Sequence, residues 1–161
     1  MQGYRLVLQG LVFPTPVPLF ARWCPNSGGE STVLEEALAA DRLPVTELLV
    51  GDSTFGGADL VALYAHHGGW LLTPQQLPLS STSWKHDLYA YRRETIELLF
   101  QRIMQTCDLK ACPVKGWARS GTFVIACVWL YQVLFLDNHR HHRPVAQIKE
   151  FIDEARWRIT A

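Results

Sequence analysis

The chain has 161 residues, equal numbers of basic and acidic side chains, and an apolar content of 48%. This length is enough for one domain with a substantial core, and the apolar content excludes an intrinsically disordered protein. The four cysteines form no dense disulfide pattern and no signal peptide is recognisable, which favours the cytoplasm. We therefore expect a single cytoplasmic domain spanning residues 1–161.

Charge is distributed unevenly between the two halves of the chain. Residues 1–83 carry three basic and seven acidic side chains, whereas residues 84–161 carry twelve basic and eight acidic ones. The excess of basic over acidic side chains in residues 84–161 indicates that an anionic polymer would approach this half of the chain. A solvated helical surface without a partner is the alternative, and the excess does not exclude it.

The first half of the sequence alternates strands and helices. Residues 4–13 and 17–24 are rich in β-formers and predict a hairpin joined by a proline turn. Helical spacing then predicts a helix that Ser31 or Thr32 can cap and that continues to about Asp41. Residues 47–51 form a short apolar strand that ends at Asp52. A helix over 58–66 and a strand over 70–73 follow.

The second half predicts helices only. After a polar loop over 74–84, helices are expected from Tyr91 or Arg92 to about Thr106, from 119 to 136, and from Pro144 onward. Residues 122–136 are the most apolar stretch and are shorter than the roughly 20 residues of a membrane span, so we expect a buried helix and no membrane partner. The tryptophans are expected to be core anchors rather than base-stacking platforms. The element order predicts an α/β fold with a mixed sheet covered by helices.

Two carboxylates lie where metal-dependent phosphoryl transfer would need them. Asp52 ends a buried strand, the place where open α/β sheets collect ligands, and Glu97 borders the apolar face of a later helix. Carboxylates fixed on rigid elements are the usual ligands of Mg²⁺ or Mn²⁺ in such reactions. Asp52 could instead cap a turn, and Glu97 could merely pair with Arg93 one turn earlier. The spacing leaves both interpretations open.

At these two positions the chain resembles a known family. The segment LLVGDSTF (48–55) resembles the second-aspartate motif of bacterial insertion-sequence transposases with a DDE site. The segment RRETIELLFQRIMQTCDLK (92–110) resembles their helix in which an arginine precedes the catalytic glutamate by four positions. The beginning of the chain and GWARSGTFVIACVWLYQVLFL (116–136) are also similar to this family, so the likeness covers nearly the whole chain. It implies a ribonuclease H-like mixed sheet flanked by helices.

The resemblance also implies an activity, namely DNA cleavage and strand transfer at the ends of an insertion sequence with Mg²⁺ or Mn²⁺. Asp52 and Glu97 would be catalytic metal ligands, and Arg93 would be an electrostatic helper. The expected DNA contacts are Lys85, Arg92, Arg102 and Lys110. A homodimer is a further option. Two positions depart from the family pattern, because Met104 replaces a frequent lysine and Ala90 a usual tyrosine.

One element of the family pattern is missing. The first catalytic aspartate lies on the first, central strand, upstream of the hairpin, whereas no acidic residue precedes Glu30 in this sequence. We therefore expect a C-terminal portion of the catalytic domain, either a truncated and inactive fragment or one completed by an upstream polypeptide. The strands that flank the central strand would lose their ladder partners. The alternative function is a non-catalytic nucleic-acid-binding or assembly module.

Two histidine-containing patterns suggest weaker alternatives. Cys107 and Cys112 could form a zinc site together with His139, His141 and His142, although an interior cysteine and a loop cysteine without metal are the simpler interpretation. The basic run from His139 to Arg143 could contact phosphates or could be a solvated loop between helices.

Overall fold

A computed structural model describes residues 4–12, 15–25, 29–77, 83–109, 112–145, 147–150 and 152–153. Phe13 of the expected first strand and Pro14 of the expected turn lie outside these ranges, as do Lys110, Phe151 and Ala155. The chain forms two compact units. Unit 1 comprises residues 1–7 and 24–94, and unit 2 comprises residues 8–23 and 95–161.

The strands pair two by two. Strand β1 (Tyr4–Leu11) pairs with β2 (Val17–Pro25), and β3 (Leu48–Val50) pairs in parallel with β4 (Trp70–Leu72). Within the described residues these pairs are two separate sheets, whereas the sequence predicted one mixed sheet. The broader prediction of a chain that mixes α and β structure is confirmed.

Helices α1 (Glu30–Ala39) and α2 (Ala58–His66) belong to unit 1. The expected bounds of α2 are confirmed. The expected cap of α1 is wrong, because the helix begins at Glu30 after Gly29, which places Ser31 and Thr32 inside its first turn. One face of α1 supplies core residues at helical spacing, namely Val33, Leu34, Ala37 and Leu38.

Helix α3 (Trp84–Thr106) begins well before the expected start at Tyr91. Ser83 explains the early start, since its carbonyl accepts a bond from the His86 N–H and its hydroxyl accepts one from the Lys85 N–H. Farther along, in unit 2, Leu99 and Ile103 are buried, as their spacing predicted. Gly10 of β1 allows close packing there, because a Cβ at that position would lie 2.8 Å from Leu99 Cδ2.

Helix α4 (Trp117–Arg140) extends beyond both ends of the predicted helix. One face packs inside unit 2 through the buried residues Ser120, Gly121, Val124, Cys127, Val128, Tyr131 and Asn138. Gln132 Nε2 adds a hydrogen bond of 2.7 Å to the Pro18 carbonyl. The opposite face is exposed, so the expectation of a buried helix holds for one face only. By length and composition alone, α4 is also long enough and apolar enough to cross a membrane.

Tryptophan burial differs from the prediction. Four of these side chains are exposed, which corrects their assignment as core anchors: Trp70, Trp84, Trp117 and Trp129. Trp117 nevertheless stacks on Trp23 within unit 2, with ring centroids 6.2 Å apart. The expected last helix is helical at 148–150 and 152–153, and Ile148 of its apolar face is buried.

Candidate functional site

Asp52 lies directly beyond the carboxyl end of β3. The Gly51 N–H donates to the Leu72 carbonyl of β4 at 2.9 Å, so the parallel ladder continues to the residue before Asp52. Asp52 then caps a single 3₁₀ turn, Ser53–Phe55, because its Oδ1 accepts a bond of 2.8 Å from the Thr54 N–H. The turn-capping role weighed from the sequence is therefore present, and the carboxylate remains partly exposed at this edge.

A second carboxylate reaches the same turn. Glu30 Oε2, at the first residue of α1, accepts a hydrogen bond of 3.2 Å from Thr54 Oγ1, which is also bonded to Asp52 Oδ1. Arg5 of β1 pairs with the other oxygen of Glu30 at 3.0 Å. A chain of four polar side chains thus connects β1 and α1 to Asp52. Because all four are at least partly exposed, each contact contributes modestly to stability.

The residues after β4 hold the turn from the other side. Gln75 Nε2 donates to the Ser53 carbonyl at 3.0 Å, and Thr73 Oγ1 donates to Gln75 Oε1 at 2.8 Å. Thr73 is fully buried and begins a short 3₁₀ helix, Pro74–Gln76. The segments that follow two neighbouring parallel strands therefore meet, as expected for the ligand-collecting edge of an α/β sheet.

A buried tyrosine fixes the approach to β3. The Tyr64 hydroxyl accepts a bond from the Thr46 N–H at 2.9 Å and lies 3.2 Å from the Thr46 carbonyl, so the chain before β3 is attached to α2. Gly69 permits this packing, since a Cβ there would lie 2.4 Å from Tyr64 Cε1. Both ends of β3 are consequently held, and Asp52 is placed on a rigid element.

Glu97 and Arg93 are both exposed on α3, four residues apart, and therefore project from the same side of the helix. Arg93 belongs to unit 1 and Glu97 to unit 2. Asp52 is likewise in unit 1, so a metal ion shared by Asp52 and Glu97 stays a prediction.

The expected DNA-contacting side chains have different surroundings. The Lys85 amino group lies 5.9 Å from the centroid of the Trp84 ring, and the Arg92 guanidinium lies 5.9 Å from that of Tyr89. Arg102 neighbours the buried Tyr131, where burial raises the pKa of the phenol and the guanidinium offsets part of that rise. Lys110 lies outside the described residues.

The basic run from His139 to Arg143, at the end of α4, has an acidic neighbour in the same helix. Asp137 pairs with His141 and with Arg143, each at 3.2 Å, and the helix itself continues to Arg140. These contacts involve His141 and Arg143 only. A phosphate contact by the run therefore stays a prediction.

The described residues do not complete a metal site by themselves. Within them, no three His, Cys, Asp or Glu side chains converge as a metal-binding group. Asp52 and Glu30 come together as two carboxylates, fewer than a metal pair needs. Of the cysteines in the zinc hypothesis, Cys107 Sγ lies 3.9 Å from the Cys127 carbonyl and Cys112 Sγ 3.5 Å from the Val114 carbonyl.

Sequence reasoning did not identify Glu30, Thr54 and Gln75 as neighbours of Asp52. Thr54 could have been found, because an aspartate commonly accepts a bond from the residue two positions later. Glu30 and Gln75 had no local signal, since each reaches the turn from a different element.

Comparison with known proteins identifies no relative. The chain matches no protein-family model, no curated protein and no solved structure. Its function must therefore be argued from its own residues and from the motifs around Asp52 and Glu97.

Proposed function

We propose that this chain is the C-terminal portion of a DDE-type DNA transposase catalytic domain with a ribonuclease H-like fold. The observation that carries the proposal is the position of Asp52, directly beyond a parallel strand pair and inside a motif that resembles the family's second aspartate. A carboxylate on a rigid strand end is what metal-assisted phosphoryl transfer requires.

The strand pairing supports the same proposal. In the family fold, the strand that carries the first aspartate lies in the centre of the sheet and has the hairpin on one side and the parallel strands on the other. Within the described residues, β1 pairs only with β2 and β3 only with β4. Two such pairs are compatible with that sheet, and we propose that a further polypeptide supplies the strand that would join them.

In the complete enzyme, Asp52, Glu97 and a third carboxylate would hold Mg²⁺ or Mn²⁺, which would activate the attacking oxygen and neutralise charge on the phosphate. Arg93 would stabilise that charge from one helical turn before Glu97. The network from Arg5 through Glu30 and Thr54 would fix the direction of the Asp52 carboxylate.

The DNA partner is proposed from the basic second half. Lys85 and Arg92 in the first three turns of α3 would contact phosphates, and Arg102 and Lys110 would be further phosphate contacts. Each such contact would make binding salt-dependent, and removing one contact should make the negative slope of log K against log[salt] shallower by about one. We place this activity in the cytoplasm, where bacterial DNA lies.

The decisive experiment is a divalent-ion titration followed by thermal unfolding. Mg²⁺ or Mn²⁺ should raise the unfolding temperature of the wild-type chain, and Asp52→Ala and Glu97→Gln should each remove that rise. Glu94→Gln is the matched control, because Glu94 is an exposed carboxylate on the same helix. Equal ion effects in the wild type and in Asp52→Ala would contradict the proposal.

A non-catalytic nucleic-acid-binding or assembly module is the second candidate. One observation favours it, since Asp52 already has a structural role as the cap of the turn Ser53–Phe55. This candidate predicts DNA binding that is indifferent to divalent ions and unchanged by Asp52→Asn and Glu97→Gln. Lys85→Gln and Arg92→Gln should weaken binding under either candidate, so these two variants test the DNA partner separately from the metal.

A further inference from the structure

Unit 1 contains a cavity of about 220 Å³ beside the strand pair β3 and β4. The buried residues Leu71 and Leu72 of β4 line it on one side, and Val61 and Ala65 of α2 line it on another. An apolar cavity of roughly 150 Å³ is large enough to accept benzene, so this one has room for a small aromatic ring system. Its lining shares no residue with the hydrogen-bond network around Asp52.

Two tryptophans line the same cavity where it meets solvent. Trp70 of β4 is 70% exposed and Trp84, the first residue of α3, is 55% exposed. Large apolar side chains at a cavity mouth are a typical feature of a ligand site, because they cover a bound molecule that the interior alone cannot enclose. Indole rings also offer faces and edges on which another aromatic ring can stack.

A single positive charge lies beside these rings. Lys85 is half-buried, and of the described residues that line the cavity it is the one that carries a charge. Its amino group lies 5.9 Å from the centroid of the Trp84 ring and has no ion-pair partner within the described part of the chain. The charge of Lys85 can therefore be matched by an anionic group on a ligand.

A glutamine adds a hydrogen-bond donor to the lining. Gln76 Oε1 already accepts a bond of 2.7 Å from the Thr73 N–H, which fixes the orientation of the side-chain amide. Its Nε2 is the atom that remains to donate to a bound group. A cation and an amide N–H together suit a carboxylate, which accepts bonds through two oxygens.

We propose that this cavity binds a small aromatic monocarboxylate, with its ring against the apolar lining and its carboxylate at Lys85. One lysine matches one negative charge, whereas a phosphate dianion is usually held by several donors or by arginine. A neutral apolar ligand would leave the half-buried ammonium group unmatched. This inference does not rest on the proposed transposase activity, although Lys85 is also a proposed DNA contact, so the assay is performed without nucleic acid.

The test is isothermal titration calorimetry of the full chain with 2-naphthoate and with its neutral isostere 2-naphthamide. The wild type should bind 2-naphthoate with a dissociation constant on the order of 0.1–1 mM, as expected for a ligand of this size. 2-Naphthamide should bind about tenfold more weakly, because it forms no charge-assisted hydrogen bond with Lys85. Addition of 2-naphthoate should also shift the nuclear magnetic resonance signals of the Trp70 and Trp84 indole N–H groups.

Three variants locate the site. Lys85→Gln should weaken binding of 2-naphthoate about tenfold and leave that of 2-naphthamide unchanged. Arg92→Gln is the matched control, because it removes one positive charge from the same helix outside the cavity lining, and it should leave both affinities unchanged. Ala65→Phe places a ring in the cavity from an exposed helical position and should abolish binding of both ligands. Thermal unfolding verifies that the variants fold.

The inference is overturned by a wild-type chain that binds no 2-naphthoate at about 5 mM, well above the expected dissociation constant. Equal affinities for the acid and the amide, or equal weakening by Lys85→Gln and Arg92→Gln, would show that the carboxylate is not recognised. Undiminished binding in a folded Ala65→Phe chain would place the ligand elsewhere. Thymidine monophosphate that displaces 2-naphthoate and binds more tightly would assign the cavity to a nucleotide instead.

Discussion

Glu30 and Asp52 share one hydroxyl group as a neighbour. Thr54 Oγ1 lies 3.2 Å from Glu30 Oε2 and is also within hydrogen-bond distance of Asp52 Oδ1. A threonine hydroxyl has a single proton, so it can donate to only one of the two carboxylates at a time. Arg5 compensates the charge of Glu30, whereas Asp52 has the Thr54 N–H as its further donor.

This arrangement separates the structural role of Asp52 from its proposed role at a metal. Asp52→Asn keeps an oxygen that can accept from the Thr54 N–H, so we expect stability within about 0.5 kcal/mol of the wild type. Asp52→Ala removes the cap and should lower the free energy of unfolding by about 1 kcal/mol. Urea denaturation measures both changes. A loss in Asp52→Asn as large as that in Asp52→Ala would show that the negative charge, rather than the cap, stabilises the turn.

The role of Glu30 can be tested with the same assay. Glu30→Gln removes the charge that pairs with Arg5 but keeps an oxygen for Thr54, so the expected loss of stability is below about 1 kcal/mol. If Glu30 only positions the turn, Glu30→Gln should also preserve any ion-dependent rise in the unfolding temperature. Loss of that rise would make Glu30 itself a metal ligand.

Local sequence patterns predicted the helices and strands better than they predicted which side chains are buried or in contact. The bounds of α2 and the positions of β3 and β4 followed from apolar runs and from the glycines that flank them, whereas the pairing of the two strands was not predicted. The start of α3 was missed because residues 84–90 lack a clear apolar period and the Ser83 cap was not recognised. The outward apolar face of α4 was missed because a helix that is apolar all round does not indicate which side the core covers. Contacts such as that of Glu30 with Thr54 depend on tertiary structure, and no local signal reports them.

Close packing at Gly121 predicts a destabilised variant. A Cβ at this buried position of α4 would lie 2.5 Å from Trp23 Cδ1, so Gly121→Ala must displace the indole that stacks on Trp117. We expect a net loss of about 1–2 kcal/mol, because overpacking outweighs the gain in helix propensity. Gly57→Ala is the control, since a Cβ there meets nothing within 4 Å. Thermal unfolding that is equal for the two variants would contradict this packing.

Cysteine reactivity should report burial. Cys24, Cys107 and Cys127 are buried, Cys112 is half-buried, and burial also raises the pKa of the Cys127 thiol. Only the thiolate reacts, so at pH 8 we expect one fast-reacting thiol per folded chain and four in guanidinium. A thiol-reactive chromogenic reagent gives both counts. Cys112→Ser should remove the fast phase and Cys24→Ser should preserve it, whereas a fast phase of two or more thiols would mean that the core opens readily.

Alkaline pH should destabilise unit 2 through Tyr131. Burial raises the pKa of this phenol above its ordinary value of 10.0, and Arg102 offsets the rise only in part. Between the pKa of Tyr131 in the unfolded chain and its higher pKa in the folded chain, the folded chain keeps a proton that the unfolded chain releases. The resulting stabilisation is complete below about pH 10 and is lost as the pH rises through the folded-state pKa. Tyr131→Phe removes the ionisable group, so its free energy of unfolding should fall less steeply above pH 10 than that of the wild type. Urea denaturation at pH 8, 10 and 11 gives the comparison, and identical slopes for the two chains would contradict the burial of this hydroxyl.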